Sequence, residues 1–136
     1  DFKTIDPKVW TEAHAKLIKR AASFPEVARI FVHPPIKKAL CGWATGNRSW
    51  LGKVRPYYGH TYHFHIRMNC PAGSANCRNQ PPAAPADGTG CGTELAHWLS
   101  PKPWAPPGAK PKKSKPGPPL MLSGLPSDCR GLVNIQ

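Results

Sequence analysis

Three of the six histidines in this 136-residue chain lie within six positions, at His60, His63 and His65. His63 and His65 are two residues apart, in a segment where apolar and polar side chains alternate. A period of two is typical of a β-strand, and residues two apart project from the same face. Two imidazoles on one face can bind one metal ion together, or one can bind the ion while the other acts as a base. The alternative is a pair of exposed strand histidines without a chemical role.

Arg67 belongs to the same face of the predicted strand. It is suited to bind a substrate carboxylate, and a surface charge at a strand edge is the plainer alternative. A catalytic zinc ion usually has three protein ligands and keeps a position for water. The sequence contains no H-E-x-x-H helix, and none of its seven carboxylate side chains lies in a recognisable ligand motif. The residues therefore predict part of a metal site and not a complete one.

The elements that must position these residues follow from local patterns. Apolar side chains at helical spacing predict an amphipathic helix over residues 8–22. Its apolar positions are Trp10, Ala13, Leu17, Ile18 and Ala21. A buried strand is predicted over residues 29–32, a helix over 35–41 and a short final helix over 93–99.

These elements indicate an α+β fold with a small antiparallel sheet that carries the H-x-H strand. Disulfide-tied loops are expected around it, and helices are expected to pack on its apolar face. That face consists of Tyr62, Phe64, Ile66 and Met68.

Composition excludes several classes of protein. The formal net charge is +12, and no apolar run approaches the roughly 18 residues of a membrane span. No Gly-X-Y period or sustained heptad is present, and five tryptophans argue against a fully disordered chain. Nine of the 18 prolines lie in residues 101–136, so the sequence predicts a globular part over 1–100 and an irregular Pro/Lys-rich tail over 101–136. The basic surface suits an anionic polymer, but no nucleic-acid-binding motif is present, and we expect no nucleic-acid partner.

The five cysteines are Cys41, Cys70, Cys77, Cys91 and Cys129. Cys70 and Cys77 bracket six turn-forming residues, so a small disulfide loop fits well. Disulfides indicate an oxidising compartment, and the alternative is five reduced thiols in a cytosolic protein. An odd number leaves one cysteine that pairs with another chain, stays free, or has its partner outside this sequence. The chain begins at Asp1 without the signal peptide that export needs, so we expect that an upstream segment has been removed.

Five motifs occur in a fixed order along residues 8–99. They are R-I-F-V-H-P-P-I-K at 29–37, W-L-G-K-V-R-P-Y at 50–57, H-T-Y-H-F-H-I-R at 60–67, N-C-P-A-G-S at 69–74 and G-C-G-T-E-L at 90–95. Together they resemble the penicillin-insensitive murein endopeptidases, which share a fold group with lysostaphin, the D-Ala-D-Ala metallopeptidases and hedgehog-type proteins. The resemblance implies a periplasmic zinc peptidase that cleaves D-alanyl–diaminopimelyl cross-links in peptidoglycan.

The resemblance implies roles for single residues. His65 matches the family's last zinc ligand. His63 matches a histidine that acts on the catalytic water or the tetrahedral intermediate, and His60 matches a further active-site histidine. Arg67 is expected to recognise a substrate carboxylate.

The resemblance also implies two disulfides, Cys41–Cys91 and Cys70–Cys77, and a partner for Cys129 near the family's N-terminus. The family takes its other two zinc ligands, a His and an Asp, from an upstream H-x-x-G-x-x-x-D-type motif, which this sequence lacks. The chain thus resembles the C-terminal half of such an enzyme. An upstream segment or a partner chain is expected to supply the missing ligands. The alternative function is a non-catalytic cell-wall or metal-binding module.

Overall fold

The computed structural model describes residues 4–81 and 84–104, together with positions 117, 119 and 121. The chain divides into two units, residues 1–105 and 106–136, and the elements described below belong to the first. Within the described residues there are three α-helices and three β-strands, which confirms the predicted α+β class. Cys129 and most of the predicted tail lie outside the described residues.

Helix α1 spans Glu12–Ala22 and begins later than predicted. The Asp6 carboxylate caps a separate turn before the helix, and the first turn of α1 is fastened instead by His14, whose Nδ1 accepts a hydrogen bond from the Thr11 amide (3.1 Å). The buried positions are Ala15, Ile18 and Ala22. The core-facing side is therefore rotated from the predicted one, and Leu17 is exposed.

Strand β1 (Val27–Val32), helix α2 (Pro34–Trp43) and strand β2 (Val54–Pro56) form a strand–helix–strand unit. Two prolines start α2 directly after β1, because the first turn of a helix has no hydrogen-bond partner for an N–H. The helical connection returns the chain to the same end of the sheet, so β1 and β2 are parallel. The predicted buried strand is present, but it is fully buried on one face only, at Ile30 and Val32, and half-buried on the other, at Arg29 and Phe31.

Strand β3 spans His65–Met68 and pairs antiparallel with β1, which gives the strand order β2-β1-β3. The sheet is therefore mixed and not wholly antiparallel, because the α2 crossover makes one of its two pairs parallel. The H-x-H segment is only partly a strand. His63 precedes β3, and His65 is its first residue.

The predicted apolar face of β3 is largely exposed, so the prediction that helices cover it is wrong. Tyr62 is 92% exposed, Met68 56% and Ile66 38%, whereas Phe64 packs against the core. The physical reason is position. Helix α1 packs mainly on β1 and on the 3-10 helix Ser49–Lys53, whereas β3 lies at the edge of the sheet.

The core lies between α1, α2 and the buried face of β1 and β2. Its fully buried apolar side chains are Ile30, Val32, Leu40, Leu51 and Val54. Each such side chain stabilises the fold by about 1.5–3 kcal/mol relative to an exposed one. No helix in the described part of the chain is both long and apolar enough to cross a membrane.

Both implied disulfides are present in the structure. Cys41–Cys91 connects α2 to the segment just before helix α3 (Thr93–Leu99), and Cys70–Cys77 closes the loop after β3. Such bonds are typical of proteins outside the cytoplasm.

Candidate active site

A tight turn after β2 brings His60 against the middle of the sheet. The Tyr57 amide donates to the Val32 carbonyl (2.9 Å), and the His33 amide donates to the His60 carbonyl (3.2 Å). Between these two contacts, Gly59 adopts a φ of +69°, a conformation that favours glycine. His60 is consequently buried, with 8% of its surface exposed.

Phe31 is the centre of the sheet face that His60 contacts. The strand register places Arg55 of β2 and His65 of β3 directly opposite Phe31, one on each side. Direct cross-strand partners share a face, so this face carries a row of arginine, phenylalanine and histidine. The Phe31 ring centroid lies 5.7 Å from that of His65 and 6.0 Å from that of His60.

The histidine cluster consists of His60, His63 and His65. The ring centroid of His60 lies 5.2 Å from that of His63 and 6.2 Å from that of His65. His60 is buried, whereas His63 and His65 are exposed. The structure therefore brings together the three histidines selected from the sequence, although only one of them lies in β3.

Burial sets the charge of the innermost histidine. Desolvation lowers the pKa of His60, and the neighbouring His63 and His65 add to this effect when they are charged. At neutral pH, His60 is therefore neutral and presents one N–H donor and one nitrogen acceptor. Because the His60 ring is neutral, it can pack beside His63 and His65 without charge repulsion when either of them is protonated.

The donor set of the described residues is incomplete for a metal ion. Within residues 4–81 and 84–104, no three His, Cys, Asp or Glu side chains are arranged to hold one. One buried and two exposed imidazoles do not make the three-ligand set of a catalytic zinc ion. Taken alone, these residues do not fit a complete zinc centre.

A cavity of about 620 Å³ opens between α1 and the histidine cluster. His63, Tyr62 and His33 line it on the cluster side, and Trp10 and Leu17 line it from the α1 side. Its size lies in the range of pockets that take small organic ligands.

An aromatic cluster flanks His60 on the other side. The ring centroid of Tyr58 lies 4.9 Å from that of Trp98 and 5.0 Å from that of Trp104. Tyr57 continues the cluster, with its ring 5.4 Å from Trp98 and 6.1 Å from His60. Helix α3 therefore supports the turn that places the buried histidine.

An interior charge cluster, which sequence reasoning missed, lies on the β2 side. It consists of Lys37, Arg55 and Glu94. Arg55 Nε donates to Glu94 Oε1 (2.8 Å), and its Nη2 donates to the same oxygen. Lys37 is fully buried, and its Nζ donates to the carbonyls of Leu51 (2.7 Å) and Thr89 (2.6 Å). Burial is the main cause that lowers the pKa of Lys37 to about 8.

Gly90 makes this arrangement of charges feasible. A Cβ at Gly90 would lie 2.8 Å from Glu94 Oε2 and 3.5 Å from Lys37 Nζ. The residue also adopts a φ of +71°. The carboxylate and the ammonium group therefore converge on a point that only glycine leaves open.

Arg67 lies where the sequence places it, two residues beyond His65 on β3. It is half-buried, and its Nη1 donates to Gln80 Oε1. It therefore projects from the face that carries the histidine cluster.

Comparison with known proteins identifies the family. The sequence profile of the family described as penicillin-insensitive murein endopeptidase matches residues 1–134. The curated penicillin-insensitive murein endopeptidase of Haemophilus influenzae is 49% identical over 114 residues, which are 84% of this chain and 39% of the relative. Those of Klebsiella pneumoniae and Yersinia enterocolitica are 44% and 45% identical over 134 residues, which are 98% of this chain and 45% of each relative.

The chain belongs to the penicillin-insensitive murein endopeptidase family, which confirms the resemblance of its motifs. It spans less than half the length of the curated relatives that it matches.

Proposed function

We propose that this chain is part of a periplasmic zinc metallo-endopeptidase that cleaves D-alanyl–diaminopimelyl cross-links in peptidoglycan. The histidine cluster on the exposed sheet face is the observation that carries the proposal. Family membership supports the peptidase class, and the two disulfides support a site of action outside the cytoplasm.

His65 is the proposed zinc ligand within the described residues. Its imidazole is exposed at the start of an edge strand, where it can join donors from elsewhere. The other ligands, a His and an Asp, come from a segment or chain outside the described residues. The chemistry supplied by a zinc ion held there would be that of a Lewis acid that activates water and polarises the scissile carbonyl.

His63 is the proposed proton carrier. An exposed imidazole can accept a proton from water and return it to the leaving amine. His60 is the proposed positioning residue, because its neutral ring lies 5.2 Å from that of His63 and is held by burial.

The surroundings of the cluster suit a peptide of the cell wall. The cavity beside His63 offers space for a peptide stem, and Arg67 is proposed to contact a carboxylate of that stem. The formal net charge of +12 favours association with an anionic wall polymer.

Two substitutions in the full-length product of the gene that encodes this chain test the proposal. His65→Ala is expected to abolish both stoichiometric zinc and the cleavage of cross-linked muropeptide dimers. His63→Ala is expected to retain zinc and to lower kcat by about 10²- to 10⁴-fold, the range of general acid–base catalysis. Metal analysis and chromatography of the cleavage products measure the two quantities.

His97→Ala is the matched control, because His97 is an exposed histidine on α3. It is expected to change neither zinc content nor cleavage. Full zinc content in His65→Ala would reject His65 as a ligand, and cleavage that persists in a chelator would reject zinc dependence.

A non-catalytic wall-binding module is the second candidate, because the described residues hold no complete metal-ligand set. This candidate predicts that the full-length product binds purified peptidoglycan sacculi even when a chelator is present. It also predicts that no peptide is released when the chelator is left out. Release of peptides by the zinc-loaded protein would exclude this candidate.

A further inference from the structure

Two arginines face each other across the strands next to the histidine cluster. Arg29 of β1 and Arg67 of β3 are direct partners, and the next pair on the same face, two residues along each strand, is Phe31 with His65. Direct partners share a face, as do residues two apart on one strand, so the four side chains project to the same side. The pairing is irregular between Val27 and Arg29, and such bulges re-aim side chains beside functional sites.

Neither arginine has a counter-charge among the described residues. Like charges directly opposite each other destabilise a sheet. In the part of the chain that the structure describes, no carboxylate lies within 4.0 Å of either guanidinium group. Arg29 Nη2 donates to the Pro81 carbonyl (3.3 Å), and Arg67 Nη1 donates to Gln80 Oε1. A guanidinium group has five N–H donors, so both arginines retain donors for an anion.

The arginine pair is continuous with the histidine cluster. The guanidinium carbon of Arg29 lies 6.0 Å from the ring centroid of Phe31, and that ring contacts His65. Two residues along a strand span about 6.6 Å, so the arginine pair lies about that far from the His65 position. An extended peptide bound at His65 covers this distance within about two residues.

A groove of about 410 Å³ adjoins Arg29. Its polar lining includes Lys53, Asn69 and Gln80, and no carboxylate side chain occurs among the described residues that line it. Cations and amides without an acid make a surface that favours an anionic, hydrogen-bonding group.

We propose that Arg29 and Arg67 together bind a free carboxylate of the peptide stem, adjacent to the bond that lies at the histidine cluster. This inference rests on the proposed function, because the stem peptide is the ligand. Guanidinium groups bind carboxylate oxygens through paired, charge-assisted hydrogen bonds, and the bound anion removes the repulsion between the two arginines. The pair therefore selects substrates whose diaminopimelate carboxyl group is free over those in which it is amidated.

The test uses two cross-linked muropeptide dimers that differ only in that group, as carboxylate or carboxamide. The full-length gene product is expected to show a kcat/KM about 10- to 100-fold higher for the carboxylate dimer. Arg29→Met and Arg67→Met are each expected to lower kcat/KM for the carboxylate dimer by about that factor, mainly through KM, and to leave the carboxamide dimer nearly unchanged. Arg78→Met is the matched control, because Arg78 is exposed after the Cys70–Cys77 loop and belongs to no such pair.

An equal loss of kcat/KM for both dimers in Arg29→Met would overturn the proposal, because it would assign the arginine to loop structure. A full-length product with the same kcat/KM for both dimers would also overturn it. Arg29→Lys covers the case in which Arg29→Met fails to fold. It keeps the charge and loses the planar fork, and it is expected to give an intermediate loss confined to the carboxylate dimer.

Binding separates this inference from the proposed function. If the full-length product cleaves neither dimer, the peptidase proposal fails, and titration of the intact dimers decides the carboxylate site. If Arg29→Met raises the Kd for the carboxylate dimer alone, the carboxylate site is supported. If the unsubstituted protein and Arg29→Met bind both dimers with the same Kd, the site is overturned.

Discussion

Arg55, Phe31 and His65 form one row across the sheet, and the two ends of this row differ in burial and in charge pairing. His65, at the β3 end, is exposed on an edge strand. Arg55, at the β2 end, forms an ion pair with Glu94 in which the side chains are 17% and 22% exposed. Lys37 is fully buried beside this pair, and the Cys41–Cys91 disulfide closes the same side of the molecule.

This difference separates the residues that hold the fold from those available for chemistry. Buried charges with defined partners fix geometry, and removal of one partner is strongly destabilising. Exposed imidazoles exchange protons with water and can reach a substrate. Phe31 lies between the two ends, so the closed β2 side fixes the platform on which the open β3 side presents its histidines.

The largest expected effect on stability is that of Glu94→Gln. The substitution removes the carboxylate that pairs with Arg55 and that is the larger of the two acidic charges acting on Lys37, the other being Asp87. We expect the free energy of unfolding to fall by about 2–4 kcal/mol, because removal of a partner from a buried pair costs about 3–5 kcal/mol and this pair keeps some solvent contact. Urea denaturation measures the change.

Glu12→Gln is the control for this prediction. Glu12 forms an exposed ion pair with Lys16 on α1 (3.3 Å), and such pairs contribute about 0–1 kcal/mol. Equal losses of unfolding free energy for Glu94→Gln and Glu12→Gln would mean that the interior charge cluster contributes no more to stability than an exposed ion pair.

The burial of Lys37 is expected to have a smaller effect on the free energy of unfolding, and this effect depends on pH. The unfolded chain keeps the Lys37 proton up to the ordinary pKa of 10.5, whereas the folded protein releases it near a pKa of about 8. The unfolded state binds more protons between these values, so the free energy of unfolding rises as the pH increases from about 8 to 10.5. The gain from this residue has an upper limit of roughly 3–4 kcal/mol, since one pKa unit corresponds to about 1.4 kcal/mol.

Lys37→Met should abolish this rise, and Lys38→Met, an exposed neighbour on the same helix, should retain it. Denaturation curves at pH 7.5 and 10 compare the three proteins. The same pH slope in Lys37→Met and the unsubstituted protein would show that the buried ammonium group does not titrate in this range.

Local patterns were sufficient for part of the fold. Period-3.6 spacing located α1, the Pro-Pro pair located α2, and the histidine triplet located the candidate site, because each depends on neighbours in the sequence. The burial of Lys37 was not predictable in this way. Its Nζ binds carbonyls of Leu51 and Thr89, which only the folded chain brings together. The pairing of Arg29 with Arg67 likewise needs the strand register, although the two-residue spacing of Arg29 and Phe31 in the predicted strand was a signal that they share a face.

The smallest expected effect tests the open side. Tyr62→Ser is expected to change the free energy of unfolding by less than about 0.5 kcal/mol, because 92% of Tyr62 is exposed. Phe64→Ser is the comparison, because Phe64 packs against the core and its loss is expected to cost about 2–4 kcal/mol. Similar losses in the two variants would mean that other residues cover Tyr62 in solution, so the β3 side would be as closed as the β2 side. A loss in Tyr62→Ser that grows with protein concentration would identify the cover as a second copy of the chain, because only association depends on concentration.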